Sequence, residues 1–329
     1  MNVQDAWTAF FGSSSVYAHR EVWAEAQRHF RLDESAIAVP LSSGCENLLF
    51  RVIAREDYVL RVSVQRSRSE LEAEATFVTG LRRGGLPILP QFIRGNDGSF
   101  VGSACGLQMT MYRYIDGMAL GTITTSEFDS LATVLEQYFI VLTGEVNKWQ
   151  VLTRRPFPSP SEIIDEYLHI IGSRFLTTCR DIPAVNTARL RKLPPFRTDL
   201  LIHSDIHLGN LLWNERHALA GIIDFDDCAF GEPLLEFACI VRGCCFSGSH
   251  LAIDRLGRLW NILRQFVRIR DEEQIIDTLV VVCIYFFVAV NRERSFGPPR
   301  PVDWGDLEKA SSVTQNVRAL KAAIARDVD

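Results

Sequence analysis

Lysine is scarce in this chain. Only four of its 35 basic residues are lysines (Lys148, Lys192, Lys309 and Lys321), and the first comes at position 148. An anion bound by the first 147 residues must therefore be met without lysine, with arginine as the main cation. A metal or disulfide framework is lacking too. The eight cysteines include no CxxC pair and mostly have apolar neighbours, the pattern of reduced, buried thiols in the cytosol. A strong charge of either sign is absent: the net charge of −5 argues against nucleic acid or an anionic membrane as partner. No basic segment leads into an apolar core near residue 1, so no signal peptide is expected. The longest apolar run, 279–290, has twelve residues with Asp277 just before it, too few to span a bilayer. It reads as a buried core helix. A cytoplasmic protein is expected, without repeats or low-complexity segments.

What is present is material for two lobes. A chain of 329 residues with 47% hydrophobic residues can bury two cores. Residues 16–30 have the pattern of a helix packed outside the main fold. Strand-like runs at 47–53 and 58–64 make a hairpin, and a helical segment at 67–83 stops at Gly84-Gly85 and Pro87. Further strand-like pieces at 92–93 and 107–114 complete a small lobe with a mixed sheet and one crossing helix. Beyond Asp116-Gly117 the pattern is helical, at 126–146, 161–173, 232–246, 250–268, 272–291 and 304–326. One strand-and-turn region, 200–230, interrupts it. The expected class is α+β, with lobes at 1–113 and 114–329.

That interruption carries the chemistry. It reads His203-Ser204-Asp205-Ile206-His207-Leu208-Gly209-Asn210-Leu211-Leu212-Trp213, and later Ile222-Ile223-Asp224-Phe225-Asp226-Asp227. Phosphoryl transfer needs a carboxylate to accept the acceptor's proton, and an amide oxygen and a second carboxylate to hold magnesium. Asp205, Asn210 and Asp224 offer these groups, and Asp205 and Asn210 have the spacing of kinase catalytic loops. His203 and His207, four apart, also have the spacing of zinc ligands on a helix. The Glu of HExxH is missing, however, and Gly209 disfavours a continuing helix. His203 reads as a brace for the loop and His207 as part of the cleft floor. Asp226 is a second carboxylate for an ion or substrate.

The run HSDIHLGNLLW resembles the HGDxHxGNxL signature of the aminoglycoside phosphotransferase, choline kinase and homoserine kinase superfamily, and GIIDFDD resembles its metal-binding strand. Ser204 stands where the family usually has glycine, and Leu208 where it often has proline. Taken with IIDFDDCAFGEP, the segment is most similar to the bacterial stress-response kinase branch. The resemblance implies a two-lobed, protein-kinase-like fold, ATP and Mg2+ as cofactors, Asp205 as catalytic base, and Asn210 and Asp224 on the metal.

It also implies a nucleotide site in the first lobe. Leu41-Ser42-Ser43-Gly44 resembles the family's glycine-bearing loop, so the backbone at Ser43 and Gly44 is expected over phosphates. Arg61, in Tyr58-Val59-Leu60-Arg61-Val62, matches the kinase strand lysine. Its partner should come from the next helix. Glu74 lies within the inward stripe of Leu71, Ala75, Val78 and Leu81, with Glu70 the runner-up and Glu72 pointing away. The strand at 107–114 resembles the hinge, which implies adenine on the carbonyl of Arg113 and the N–H of Ile115.

The function expected is transfer of the γ-phosphate of ATP to a hydroxyl of a small molecule, such as an aminoglycoside, choline, homoserine or a sugar-like acceptor, by a monomer or homodimer. Glu162, Asp165, Glu166, Glu232 and Glu236 could make the acceptor's surroundings negative. The alternatives are a protein Ser/Thr kinase of the stress-response type and a catalytically silent nucleotide-binding protein. No phosphosite framed by DFG and APE supports the first, and the intact Asp205, Asn210 and Asp224 set argues against the second.

Overall fold

The structure is a computed structural model, and it describes residues 16–43, 47–63, 65–144, 154–174, 186–293 and 303–325. The chain divides into two compact units. One holds Met1–Gly117, Leu152–Arg154 and Ala220–Asp226; the other holds Met118–Val151, Arg155–Leu219 and Asp227–Asp329.

The first unit begins with helix α1 (Val16–Phe30), followed by strands β1 (Ile37–Ser43), β2 (Asn47–Ile53) and β3 (Tyr58–Ser63). Helix α2 (Arg68–Arg83) comes next, then β4 (Val101–Ala104) and β5 (Leu107–Arg113). The strands form one sheet in the order β1-β2-β3-β5-β4. Every pairing is antiparallel, which corrects the expectation of a mixed sheet. The crossover through α2 delivers β4, and the β4–β5 hairpin reverses the chain before β5 reaches β3. Helix α1 is no outside attachment either. Val22, Ala26 and Phe30 share a core with Leu48, Phe50, Leu60 and Met109 of the sheet.

Helix α2 starts at a capping box in which Ser67 caps the N–H of Glu70 and Glu70 returns the bond. Its inward stripe buries Leu71, Ala75, Phe77, Val78 and Leu81, and Glu74 with them. Glu72 does not simply face solvent: its Oε1 accepts the N–H groups of Phe100 and Val101 at 2.8 and 3.0 Å and so positions β4.

The second unit opens with β6 (Met118–Ala119) and helices α3 (Thr125–Gly144), α4 (Pro160–Arg174) and α5 (Thr187–Leu190). Strand β7 (Leu200–Ile202) leads through a 3-10 turn at Leu208–Asn210 into β8 (Leu211–Trp213), which pairs with β6. Strand β9 (Leu219–Ile222) carries the chain into the first unit, and β10 (Ala229–Gly231) pairs antiparallel with β7 after the return. Helix α6 (Pro233–Cys244), the hairpin β11 (Phe246–Ser247) and β12 (His250–Leu251), and helices α7 (Ile253–Leu263), α8 (Glu272–Glu293), α9 (Gly305–Gln315) and α10 (Val317–Ala325) complete it.

Among the described residues α8 is the one helix long and apolar enough to cross a membrane, and 72% of its most apolar stretch is buried in the protein. It packs against α4, α6 and α9, as expected of a helix apolar on several sides. The single helix expected at 304–326 is broken at Asn316. There the side chain donates to Ser312 O at 2.8 Å and competes with the helical ladder.

Candidate active site

In the second unit the antiparallel pairing of β7 with β10 sets Ile202 opposite Ala229 and Leu200 opposite Gly231, after which the chain enters α6. Pro233, at the first turn of α6, lacks an N–H that the helix could not use. Three residues on, Glu236 is fully buried and ties the loop down. Its Oε2 accepts Ser204 N–H at 2.9 Å, and its Oε1 accepts His203 N–H at 3.2 Å and Tyr138 O–H at 2.8 Å. Glu236 therefore belongs beneath the loop rather than to the surroundings of an acceptor, which corrects the sequence expectation. Other acids of that group also have partners: Glu162 caps α4 through Ser159, Asp165 pairs with Arg191, and Glu232 pairs with Arg197.

His203, also fully buried, accepts Asp205 N–H on Nδ1 at 3.3 Å. His207 Nδ1 accepts Gly209 N–H at 3.0 Å, and Asn210 Nδ2 donates to Asp205 O at 3.0 Å. With its nitrogen so used, the Asn210 amide leaves its oxygen as the group for a hard cation. The Asp205 carboxylate lies 3.3 Å from Arg242 Nη1 and 3.4 Å from His207 Nε2. Arg242 is held in turn by Asp306, at 3.0 Å to Nε and 2.9 Å to Nη2, and by the Phe286 ring, 3.5 Å from its Cζ. Gly243, next to it on α6, lies directly under the loop: a Cβ there would come 2.1 Å from Ile206 O. A cavity of about 390 Å³ is lined by Asp303, Asp306, Lys309, Phe287 and neighbours.

In the first unit, Arg61 is on the central strand β3, whose residues Val59–Ser63 are all buried. Its Nη1 lies 2.9 Å from Glu74 Oε1 and bonds to Asp226 Oδ1, while its Nε donates to Thr110 Oγ1 at 3.2 Å. Burial disfavours the charge, yet Asp226 and Glu74 raise the guanidinium above its ordinary range. Glu70, the runner-up as partner, is occupied in the capping box. For Asp226 burial alone would raise the carboxyl, but Arg61 and Arg66 overcome it and hold the group below its ordinary value.

Asp224 is exposed and left-handed, with φ 64°. Ile115 packs over Gly221, where a Cβ would meet its side chain at 2.9 Å. Arg113 ends β5 and pairs with Glu56 at 2.8 Å. Ser43 is the last residue of β1, and Gly44 lies outside the described residues. The structure thus brings Arg61 to Glu74 and Asn210 to Asp205; Asp205 and Asp224 belong to different units.

The family model described as "Phosphotransferase enzyme family" matches residues 37–270. The chain belongs to that family. No curated protein matches this phosphotransferase in a sequence search. Solved structures do resemble it. The GDP and kanamycin complex of APH(2")-IIia is similar at 18% identity and a TM-score of 0.63, covering 93% of this chain and 99% of the other. Amicoumacin kinase hAmiN, in complex with AMP-PNP, Ca2+ and Ami, is 13% identical with a TM-score of 0.60, covering 95% and 96%. A microcompartment-associated aminopropanol kinase is 16% identical with a TM-score of 0.60, covering 92% and 98%. The fold of the phosphotransferase is accordingly the two-lobed, protein-kinase-like one, with a small sheet and one crossing helix in the first lobe and a larger helical second lobe.

The structure also explains one departure of this phosphotransferase from the family motif. Ser204 has φ 63°, a region that glycine enters without steric cost. Its Oγ donates to Asp227 O at 2.6 Å, so the serine is anchored in the conformation that glycine would take freely.

Glu236 gives the phosphotransferase a pH dependence of known sign. Burial pushes its carboxyl from 4.5 up to about 7, against the hydrogen bonds from Tyr138, Ser204 and His203, and Asp205 adds to the rise. A carboxyl raised in the folded state binds more protons folded than unfolded between these values. Its stabilisation is complete below about 4.5 and is lost as pH rises through about 7. The melting temperature of Glu236→Gln, plotted against pH, should lack this descending step. Parallel curves for the variant and the natural protein would show that Glu236 does not titrate there.

Proposed function

We propose that this phosphotransferase moves the γ-phosphate of ATP, with Mg2+, to a hydroxyl of a small molecule, and that it is a cytoplasmic enzyme. The observation that carries the reading is the catalytic loop. Its Asp205 carboxylate is fixed by Arg242 and His207, and its Asn210 amide is fixed by the Asp205 carbonyl. A carboxylate held in this way is suited to accept the proton of the acceptor hydroxyl.

Asn210 and Asp224 would hold magnesium, and both supply the oxygen donors that this hard cation prefers. The bound ion would offset the charge of the phosphates. For the nucleotide, Arg61 offers a fit of its own: its Nη2 is buried and has no acceptor among the described residues. Glu74 orients Arg61, the backbone N–H groups of Ser43 and Gly44 are assigned to the phosphates, and the backbone of Arg113 and Ile115 to the adenine. The lobes of this reading are 1–113 for nucleotide and 114–329 for catalysis and acceptor, with 220–226 returning to the first.

The acceptor's place is the cavity beside Asp306, the residue that shares Arg242 with Asp205. About 390 Å³ suits a small ligand. Kanamycin and aminopropanol, named with similar structures, point to amine-bearing hydroxyl compounds as the first to try. A thermal-shift screen of such compounds, with an ATP analogue and magnesium, tests the reading. A rise in melting temperature with the nucleotide, and a further rise with one acceptor, is expected. No shift with any nucleotide would refute it.

Asp224→Ala should raise the magnesium concentration needed for half-maximal turnover and weaken ATP binding. Asp226→Ala should leave the magnesium requirement closer to that of the natural protein. Magnesium titrations of both variants decide it, and a larger effect at Asp226 would reverse the assignment.

A further inference from the structure

Arg61 does not meet its carboxylates alone. Arg66 reaches Glu74 at 3.2 Å and Asp226 at 3.5 Å, and Arg154, distant in sequence, reaches Glu74 at 3.4 Å. All of this lies within the first unit. The three arginine side chains are only 6%, 13% and 5% exposed, and among the described residues the carboxylates that pair with them directly are Glu74 and Asp226, while Glu70 acts on Arg66 and Arg154 from further away. Two donors in the cluster, Arg61 Nη2 and Arg154 Nε, are buried without an acceptor among the described residues. Buried guanidinium groups with unused N–H donors are costly unless an acceptor meets them, and an anion meets them best.

The two carboxylates are not equivalent. Glu74 is on a regular helix and is fully enclosed, whereas Asp226 follows the left-handed turn at Asp224. Arg66 Nη2 and Arg154 Nη1 also bond to the backbone carbonyl of Asp226. The backbone is therefore held independently of the carboxylate, which can leave by rotating one short side chain. The Asp226 carboxylate, gripped by Arg61 and Arg66, presents oxygens to guanidinium groups much as a phosphate does.

We propose that Arg66 and Arg154 join Arg61 in a phosphate-binding cradle, and that Asp226 holds the phosphate's place in it until nucleotide binds. The proposal rests on the nucleotide-dependent reading above. Asp226 then acts as an internal competitor, lowering apparent nucleotide affinity in proportion to the time it occupies the cradle.

The test is calorimetric titration of the full chain with ADP and with adenosine, in EDTA without metal. In Asp226→Asn the Kd for ADP should fall about five-fold, as competition for the open cradle is removed, while that for adenosine stays unchanged. Arg66→Gln and Arg154→Gln should each raise the ADP Kd about ten-fold, the loss of one charge-assisted hydrogen bond, again without change for adenosine. Arg66→Lys should recover part of the loss. Weaker ADP binding by Asp226→Asn, or unaltered ADP binding by both glutamine variants, would overturn the proposal. If an arginine variant does not fold, titration of Asp226→Asn and the natural protein with inorganic tripolyphosphate decides instead. Tighter binding by Asp226→Asn supports the cradle, and equal or weaker binding overturns it. ADP binding by the natural protein that no variant alters leaves the functional reading standing and removes only the cradle. A natural protein that binds neither ADP nor adenosine removes both.

Discussion

Asp205→Asn is expected to lower turnover by about 10²–10⁴-fold, the contribution typical of a positioned general base, with ATP affinity almost unchanged. The substitution keeps the shape of the side chain, so Asn210 can still donate to the backbone carbonyl of residue 205. The loop's own anchors, Glu236, Tyr138 and His203, do not use the carboxylate and remain in place. What is lost is the carboxylate proposed to accept the proton, and with it the charge facing Arg242. Single-turnover rates and nucleotide Kd, measured side by side, separate chemistry from binding. Turnover equal to that of the natural protein would remove Asp205 from the mechanism. A loss confined to ATP affinity would make it a binding residue.

Arg61→Ala is expected to lower kcat/KM for ATP by about 1.5–3 kcal/mol, the range of a charged hydrogen bond. The structure adds a second consequence. Glu74 and Asp226 keep Arg66 and Arg154 but lose their central cation, so the melting temperature should fall as well. Arg61→Lys should restore part of the activity, because charge returns without the planar fork. Glu74→Gln should give a smaller defect that is not additive with Arg61→Ala, since the two side chains touch at 2.9 Å. The readouts are kcat/KM and melting temperature over the full double-mutant cycle. Strict additivity would mean that Arg61 and Glu74 act separately. An unimpaired Arg61→Ala enzyme would transfer the phosphate role to another arginine.

The loop that holds Asp205 and Asn210 could be found in the sequence because its geometry is local. Asp205 and Asn210 lie in one short run, and their spacing reflects how far a turn separates a carboxylate from an amide. Arg61 and Glu74 were accessible through periodicity, one on a strand and the other on the inward stripe of the following helix. Strand β1 was missed because Pro40 and the serines at 42 and 43 give it the composition of a loop. Its place is fixed by pairing with β2 instead.

The supports of the site were hidden for a different reason. Arg66, Arg154, Arg242 and Asp306 are single charged residues in separate segments, without a local pattern to distinguish them from solvated surface residues. Glu236 was visible as an acid, but its burial depends on the docking of α6 beneath the loop after β7. Tertiary proximity gives each of these groups its partners, and a pattern within one segment does not encode it.

The absence of a side chain at Gly243 leaves no slack between helix α6 and the loop that carries Asp205, since even a methyl group would collide with the carbonyl of Ile206. Loop and helix can shift only together, like a gear tooth seated in its rack. Arg242, on the same helix, would travel with them and keep its grip on the aspartate. The aim of the Asp205 carboxylate is thus a property of the tilt of α6, and substitutions at the buried contact of α6 with α8 should shift it without altering Asp205 itself.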